Sequence, residues 1–185
     1  MNTSGNLQDK LPLYGGDILS SDGMQSEKQF MQHGAVSVYE HSIAVTRLAL
    51  AAAELLQKLR IRVNERALVR GALLHDYFLY DWHVPDKSHR LHGFTHARRA
   101  LQNAERDFIL GEIERDMILT HMFPLNPRPP RYRESVILCL ADKLCATRET
   151  LSPSRYRKCF FRQMYRHSAT TAALASTNTG YPYRH

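Results

Sequence analysis

"LLHDYF", residues 73–78, sets an imidazole and a carboxylate side by side directly after two leucines. The segment leading into it, "NERALVRGAL" from Asn64, reads as a helix: Asn64 suits an N-cap, and Leu68, Ala72 and His75 share one face. His75 and Asp76 therefore stand where that helix turns toward an apolar interior. An ionised carboxylate buried without compensation costs several kcal/mol, so the pair requires a partner.

Three further segments repeat the pattern. "SVYEHSIAVTRLALAAAELLQKL" (37–59) opens with Ser37 and Glu40 at capping-box spacing, and His41 heads a stripe of Val45, Leu48, Ala52, Leu55 and Leu59. His121 follows "MILT", and Asp142 interrupts "VILCLADKLCA" (136–146). Each has a plain alternative when taken alone: a hydrogen-bonded core histidine, or an aspartate paired with Lys143. Four helices that each deliver a His or Asp from the apolar side are what a metal site inside a helical bundle requires. Mixed imidazole and carboxylate donors suit a divalent transition ion such as iron, manganese, zinc or nickel. Neighbouring helical side chains project about 100° apart, so His75 and Asp76 can both reach one ion beside the helix, and Asp76 can bridge to a second.

Further helices are expected over about 95–107, 111–122 and 133–150, whereas the four prolines of "PLNPRPPRYRES" (124–135) forbid a continuous helix there. No alternating strand pattern and no internal repeat is visible, so the expected class is all-α, a single-domain helical bundle. Residues 1–25, polar and Gly-rich, read as an irregular arm. The bundle is expected over 26–167, closing with a basic helix in "SPSRYRKCFFRQMYRHS" (152–168), and 168–185 read as a weakly ordered tail.

A chain of 185 residues with 43% hydrophobic content suits one domain with a sizeable core. Cys139, Cys145 and Cys159 form no C-x-x-C pair, which argues against a thiolate zinc site or a disulfide scaffold and favours a reducing, cytoplasmic setting. No stretch is apolar for long enough to span a bilayer. A formal net charge of +7 favours an anionic partner: a phosphorylated small molecule, nucleic acid or an acidic surface.

The order His41, His75-Asp76, Asp142 resembles the H…HD…D signature of the HD superfamily of metal-dependent phosphohydrolases, over about residues 30–150. "YEHSIAVTRLA" is similar to the family's first helix, "RGALLHDYF" to its second and "ESVILCLADKLCATRE" to its closing Asp helix. The resemblance implies an HD-type helical fold and a first metal held by His41, His75, Asp76 and Asp142. His96 in "SHRLHGFTHARRAL" and His121 in "ILTHMFPL" resemble the added histidines of members with paired metals, H…HD…H…H…D, such as the HD enzymes that hydrolyse symmetrical diadenosine tetraphosphate. His89 and His92 stay open as alternatives to His96. The implied cofactors are two divalent transition metal ions bridged by Asp76. "HDYFLYDWH" and "HMFPL…PPRYRES" also resemble text of small HD-domain proteins. The lysine that often follows the HD pair is missing from "HDYFLYDWH", so no particular substrate carries over. The "GYP" at 180–182 lies in the tail, after the last ligand.

The resemblance implies hydrolysis of a phosphoester or phosphoanhydride of a nucleotide, dinucleotide or other small phosphorylated metabolite, by metal-activated water. Asp76 and Lys143 are the catalytic candidates. Arg128, Arg131 and Arg133 are candidates for binding phosphate, with a solvated loop as the equal alternative. Tyr77, Phe78, Tyr80 and Trp82 suit core packing or stacking on a base. His33 suits an exposed position before the first cap, or a gate. Two other readings remain open: a catalytically silent nucleotide sensor on the same scaffold, and a nucleic-acid-binding module acting through the basic, aromatic C-terminal helix.

Overall fold

A computed structural model describes residues 7–34, 36–83 and 92–151. The expected basic helix, the tail, Cys159 and His89 lie outside them, as do the side chains of His33 and His92. The described residues are mostly helical: α1 Leu7–Leu19, α2 Asp22–Ser26, α3 Val38–Lys58, α4 Glu65–Leu74, α5 His92–Asp107, α6 Glu112–Thr120 and α7 Arg133–Leu151. No helix among them is long and apolar enough to cross a membrane.

The caps read from the sequence are in place. The Ser37 hydroxyl accepts from the Glu40 N–H while the Glu40 carboxylate accepts from the Ser37 N–H, a complete capping box that starts α3. The Asn64 side chain accepts from the Ala67 N–H and starts α4. Pairings of α3 with α4, α4 with α6, α6 with α7 and α7 with α3 close a ring, with α5 against α6 and α1 against α4. Small residues set how closely these helices approach. A Cβ added at Gly71 would lie 2.6 Å from Met117 Sδ and 3.1 Å from Met117 Cβ, so glycine on α4 makes room for the Met117 side chain of α6.

The expected stripe on α3 drifts. Val45, Ala49 and Ala53 are buried, but Leu55 and Leu59 are 62% and 71% exposed. The alanines admit α4 and α7 on either side, and the helix then runs past its neighbours. On α7 the apolar content likewise exceeds the buried face: Ile137, Leu138, Ala141 and Cys145 enter the core, whereas Val136, Leu140 and Leu144 stay exposed.

Two expectations are corrected. Within the stretch 1–25 expected as an irregular arm, residues 7–19 form a helix and a second begins at Asp22. Ile18 and Met24 are fully enclosed and join Val69, Leu73 and Leu74 in the core. The glycine that suggested a loop is a contact residue: a Cβ at Gly15 would lie 2.4 Å from Leu73 Cδ1 and 3.2 Å from Val69 Cγ1. The second correction is a short hairpin, β1 Met31–His33 against β2 Val36–Ser37, turning at Gly34 with φ 60°. Strands of two and three residues are too short to display alternation. The hairpin matters because it carries Gln32 to the centre of the molecule.

The adjacent glycines 15 and 16 should respond to alanine with opposite signs. Gly15→Ala intrudes on Leu73 and should destabilise by about 1–3 kcal/mol. Gly16→Ala, with nothing within 4 Å of the added methyl, should stabilise by about 0.5–1 kcal/mol through helix propensity. Urea unfolding of the two variants measures this.

Candidate metal centre

Five helices send side chains into the ring. His41 lies in the first turn of α3, directly after the capping box, so its position follows from where that helix starts. His75 is the C-cap of α4 and His121 the C-cap of α6, with φ −62° and −58°. The chain leaves α4 at Asp76, whose carbonyl accepts from the Phe78 N–H at 2.7 Å, and Leu79 takes a positive φ of 60°. Two helix C-termini thus face the same interior, and the partial negative charge of such ends favours a cation between them. His96 arrives from α5 and Asp142 from the middle of α7.

These residues form two buried triads, each of which could hold a metal ion: His41, His75 and Asp142, and Asp76, His96 and His121. In the first, Asp142 Oδ1 lies 3.1 Å from His41 Nε2 and 3.8 Å from His75 Nε2. In the second, Asp76 Oδ1 lies 3.4 Å from both His96 Nε2 and His121 Nε2. Asp76 also belongs to the first group, because its Oδ2 lies 3.4 Å from His75 Nε2 and 3.8 Å from His41 Nε2. One carboxylate therefore divides its two oxygens between the triads.

The donor chemistry fits cations. His75 Nδ1 donates to the Ala72 carbonyl at 2.7 Å and His121 Nδ1 to the Ile118 carbonyl at 2.8 Å, which turns both Nε2 atoms inward. His75 Nε2 and Asp76 Oδ1, fully buried, have no hydrogen-bond partner among the described residues. His96 Nε2 and His121 Nε2 stand 2.9 Å apart, a spacing that needs a proton or a cation between two ring nitrogens. Orphaned lone pairs on imidazole and carboxylate that point at one another are the signature of a site built for a divalent ion.

A cavity of about 420 Å3 opens on the second triad. Asp76, His96, His121 and Asp142 line it, together with Lys143 and an apolar wall of Trp82, Met122, Pro124 and Leu125. The Lys143 ammonium donates to the His121 carbonyl at 3.0 Å and the Cys139 carbonyl at 3.4 Å, so it closes the end of α6 as well as facing the cavity. Of the four aromatic residues after the HD pair, Tyr77 and Phe78 are core, Tyr80 packs on Phe78 and Trp82 reaches the cavity.

Arg128, Arg131 and Arg133 are exposed, and none of them is among the cavity-lining residues described. The Arg133 guanidinium donates to the Arg62 carbonyl at 2.7 Å, and the Arg131 N–H donates to buried Asp116. Their loop joins α6 to α7.

Three residues at the site were not singled out from the sequence. Glu149 accepts from His41 Nδ1 at 2.9 Å, with both side chains fully enclosed. It stands two turns beyond Asp142 on the same face of α7, the one sequence signal that could have revealed it. The Gln32 amide donates to Asp76 Oδ2 at 2.6 Å. Glu27 is fully buried, and neither of its carboxylate oxygens has a hydrogen-bond partner among the described residues. Burial, reinforced by the charge of Asp76, pushes its pKa well above the usual carboxylate range.

Without cations, protons balance this cluster. Burial disfavours the charged form of His41, but Asp142 and Glu149 outweigh it and raise the pKa to about 10. His75 is raised by Asp76 and Asp142 against the same burial. Asp76 is driven well below its usual value: burial opposes this, and His75, His121 and His96 overcome it. A cation binds the deprotonated imidazole, so loading must expel protons that the apo protein holds at neutral pH. Metal uptake at pH 7 should release at least one proton per chain, and affinity should fall about tenfold per pH unit, per proton displaced, as pH drops. Calorimetry in buffers of different ionisation enthalpy reads this directly; uptake with no proton release would contradict it.

Residues 38–147 match the family described as HD domain, more than half of the chain. No curated protein and no solved structure matches. With His41, His75, Asp76 and Asp142 gathered at one centre in the pattern that gives the family its signature, the chain belongs to the HD domain family, within the superfamily of metal-dependent phosphohydrolases.

Proposed function

We propose that the protein hydrolyses a phosphoester or phosphoanhydride bond in a small phosphorylated metabolite, with a nucleotide as the favoured class, using two divalent cations. The observation that carries this reading is the sharing of Asp76 between two triads at the wall of a cavity sized for a small ligand. About 420 Å3 falls within the range of roughly 300–1,000 Å3 occupied by small-molecule sites. His41, His75, Asp142 and Asp76 Oδ2 would hold one cation; His96, His121 and Asp76 Oδ1 would hold the other. Cations bound there lower the pKa of water and neutralise charge on a phosphoryl group.

The chain's own residues do the rest. Gln32 fixes the plane of the Asp76 carboxylate through its 2.6 Å hydrogen bond. Lys143 presents a fixed positive charge on the cavity wall, and its two carbonyl contacts hold that charge in place before substrate arrives. Trp82, Met122, Pro124 and Leu125 offer an apolar wall to the body of the substrate, to which a nucleobase is suited.

The test is metal analysis joined to a screen of nucleotides, dinucleoside polyphosphates and sugar phosphates. Wild-type protein should carry close to two transition metals per chain and turn over at least one of these classes. Asp76→Ala should lose both metal and turnover; hydrolysis unchanged in that variant would refute the assigned centre. Lys143→Ala should keep its metals and lose on the order of 100-fold in kcat/KM.

A further inference from the structure

We propose that Glu149 is a positioning residue that makes the two cation sites unequal: by holding His41 it turns the first triad into the tight, resident site and leaves the triad at the cavity as the weaker, exchangeable one. The inference rests on the two-cation reading above.

The support given to the ligand histidines differs in kind. His75 and His121 each lean on a backbone carbonyl three residues earlier in their own helix, Ala72 and Ile118. His41 leans instead on a carboxylate, that of Glu149, supplied by a helix far away in sequence. A carboxylate behind an imidazole fixes its tautomer and orientation and makes its other nitrogen a stronger donor. Because Glu149 and Asp142 share one face of α7, a single helix supplies both a ligand of the first site and the support for its partner ligand.

Charge and access point the same way. Asp142 Oδ1 and Asp76 Oδ2 both face the imidazoles of the first triad, with Glu149 directly behind, whereas Asp76 Oδ1 is the one carboxylate oxygen of the second triad. His41 and His75 are fully enclosed and are not among the cavity-lining residues, so the first triad meets the cavity through Asp142 alone, whereas Asp76, His96 and His121 of the second all line its wall. More negative charge in a more enclosed setting binds a divalent ion more strongly. A site open to a cavity keeps positions for water and substrate and exchanges its ion more readily.

The experiment titrates metal-free protein with Co2+ alone, followed by visible absorption, with thermal melting as a check on folding. Wild type should take up two ions in steps separated by at least about tenfold. Glu149→Gln keeps an acceptor of the same shape without the charge; it should weaken the first step by about 10–100-fold and leave the second unmoved. If Glu149→Gln fails to fold, the ligand variants decide: His96→Ala should remove the weak step alone and His41→Ala the tight one. Two equal steps in wild type, an equal shift of both steps or of neither in Glu149→Gln, or loss of the tight step in His96→Ala would overturn the assignment. No uptake of Co2+ at all would defeat the two-cation reading itself.

Discussion

The structure depends on a balance of charge in a buried place. Asp76 and Asp142, with Glu149 behind them, lie at the centre of a closed ring of helices, and each is 8% exposed or less. Removing one partner from such a buried cluster leaves a charge that costs about 3–5 kcal/mol. The imidazoles of His41, His75, His96 and His121 offer two ways to meet that cost: they take up protons, or their lone pairs converge on cations. In the first state Asp142 and Glu149 raise the His41 pKa to about 10; the second is open to both triads, because Asp76 divides its oxygens between them.

The helical frame follows from where these side chains must be. The capping box at Ser37 places His41 within the first turn of α3. α4 and α6 end at His75 and His121, so their C-terminal carbonyls crowd toward the centre. α7 satisfies those of α6 through Cys139, whose thiol donates to the Thr120 and His121 carbonyls at 3.2 and 3.3 Å, and through Lys143. The same contacts that complete a helix end therefore hold a cation on the cavity wall. Beyond α4, Tyr77 donates to Asp107, and Asn103 donates to the Tyr77 and Phe78 carbonyls, which pins the departing chain without a regular element.

The two triads that could hold metal ions drew notice in the sequence because polar, ionisable residues on apolar helices are costly and so carry information. His41, His75, Asp76, His121 and Asp142 all stood out by that criterion; His96 emerged from spacing and resemblance, and the structure seats it against His121. Glu149, Gln32 and Glu27 did not stand out, because they occupy polar surroundings in the sequence and only tertiary packing buries them. Arginines 128, 131 and 133 were ambiguous for the opposite reason: basic charge beside prolines suits a phosphate and a solvated loop equally. In α1 the glycines read as flexibility, whereas close packing on Leu73 and Val69 is what Gly15 serves.

The central claim, that two cations flank the Asp76 carboxylate, is tested most directly by anomalous diffraction at the metal absorption edge, on crystals of protein purified without oxygen or chelators. The account requires two peaks about 3.5–4 Å apart, one among His41, His75 and Asp142 and the other against His96 and His121. Peaks elsewhere, or none from protein shown to be folded and never stripped of metal, would contradict it.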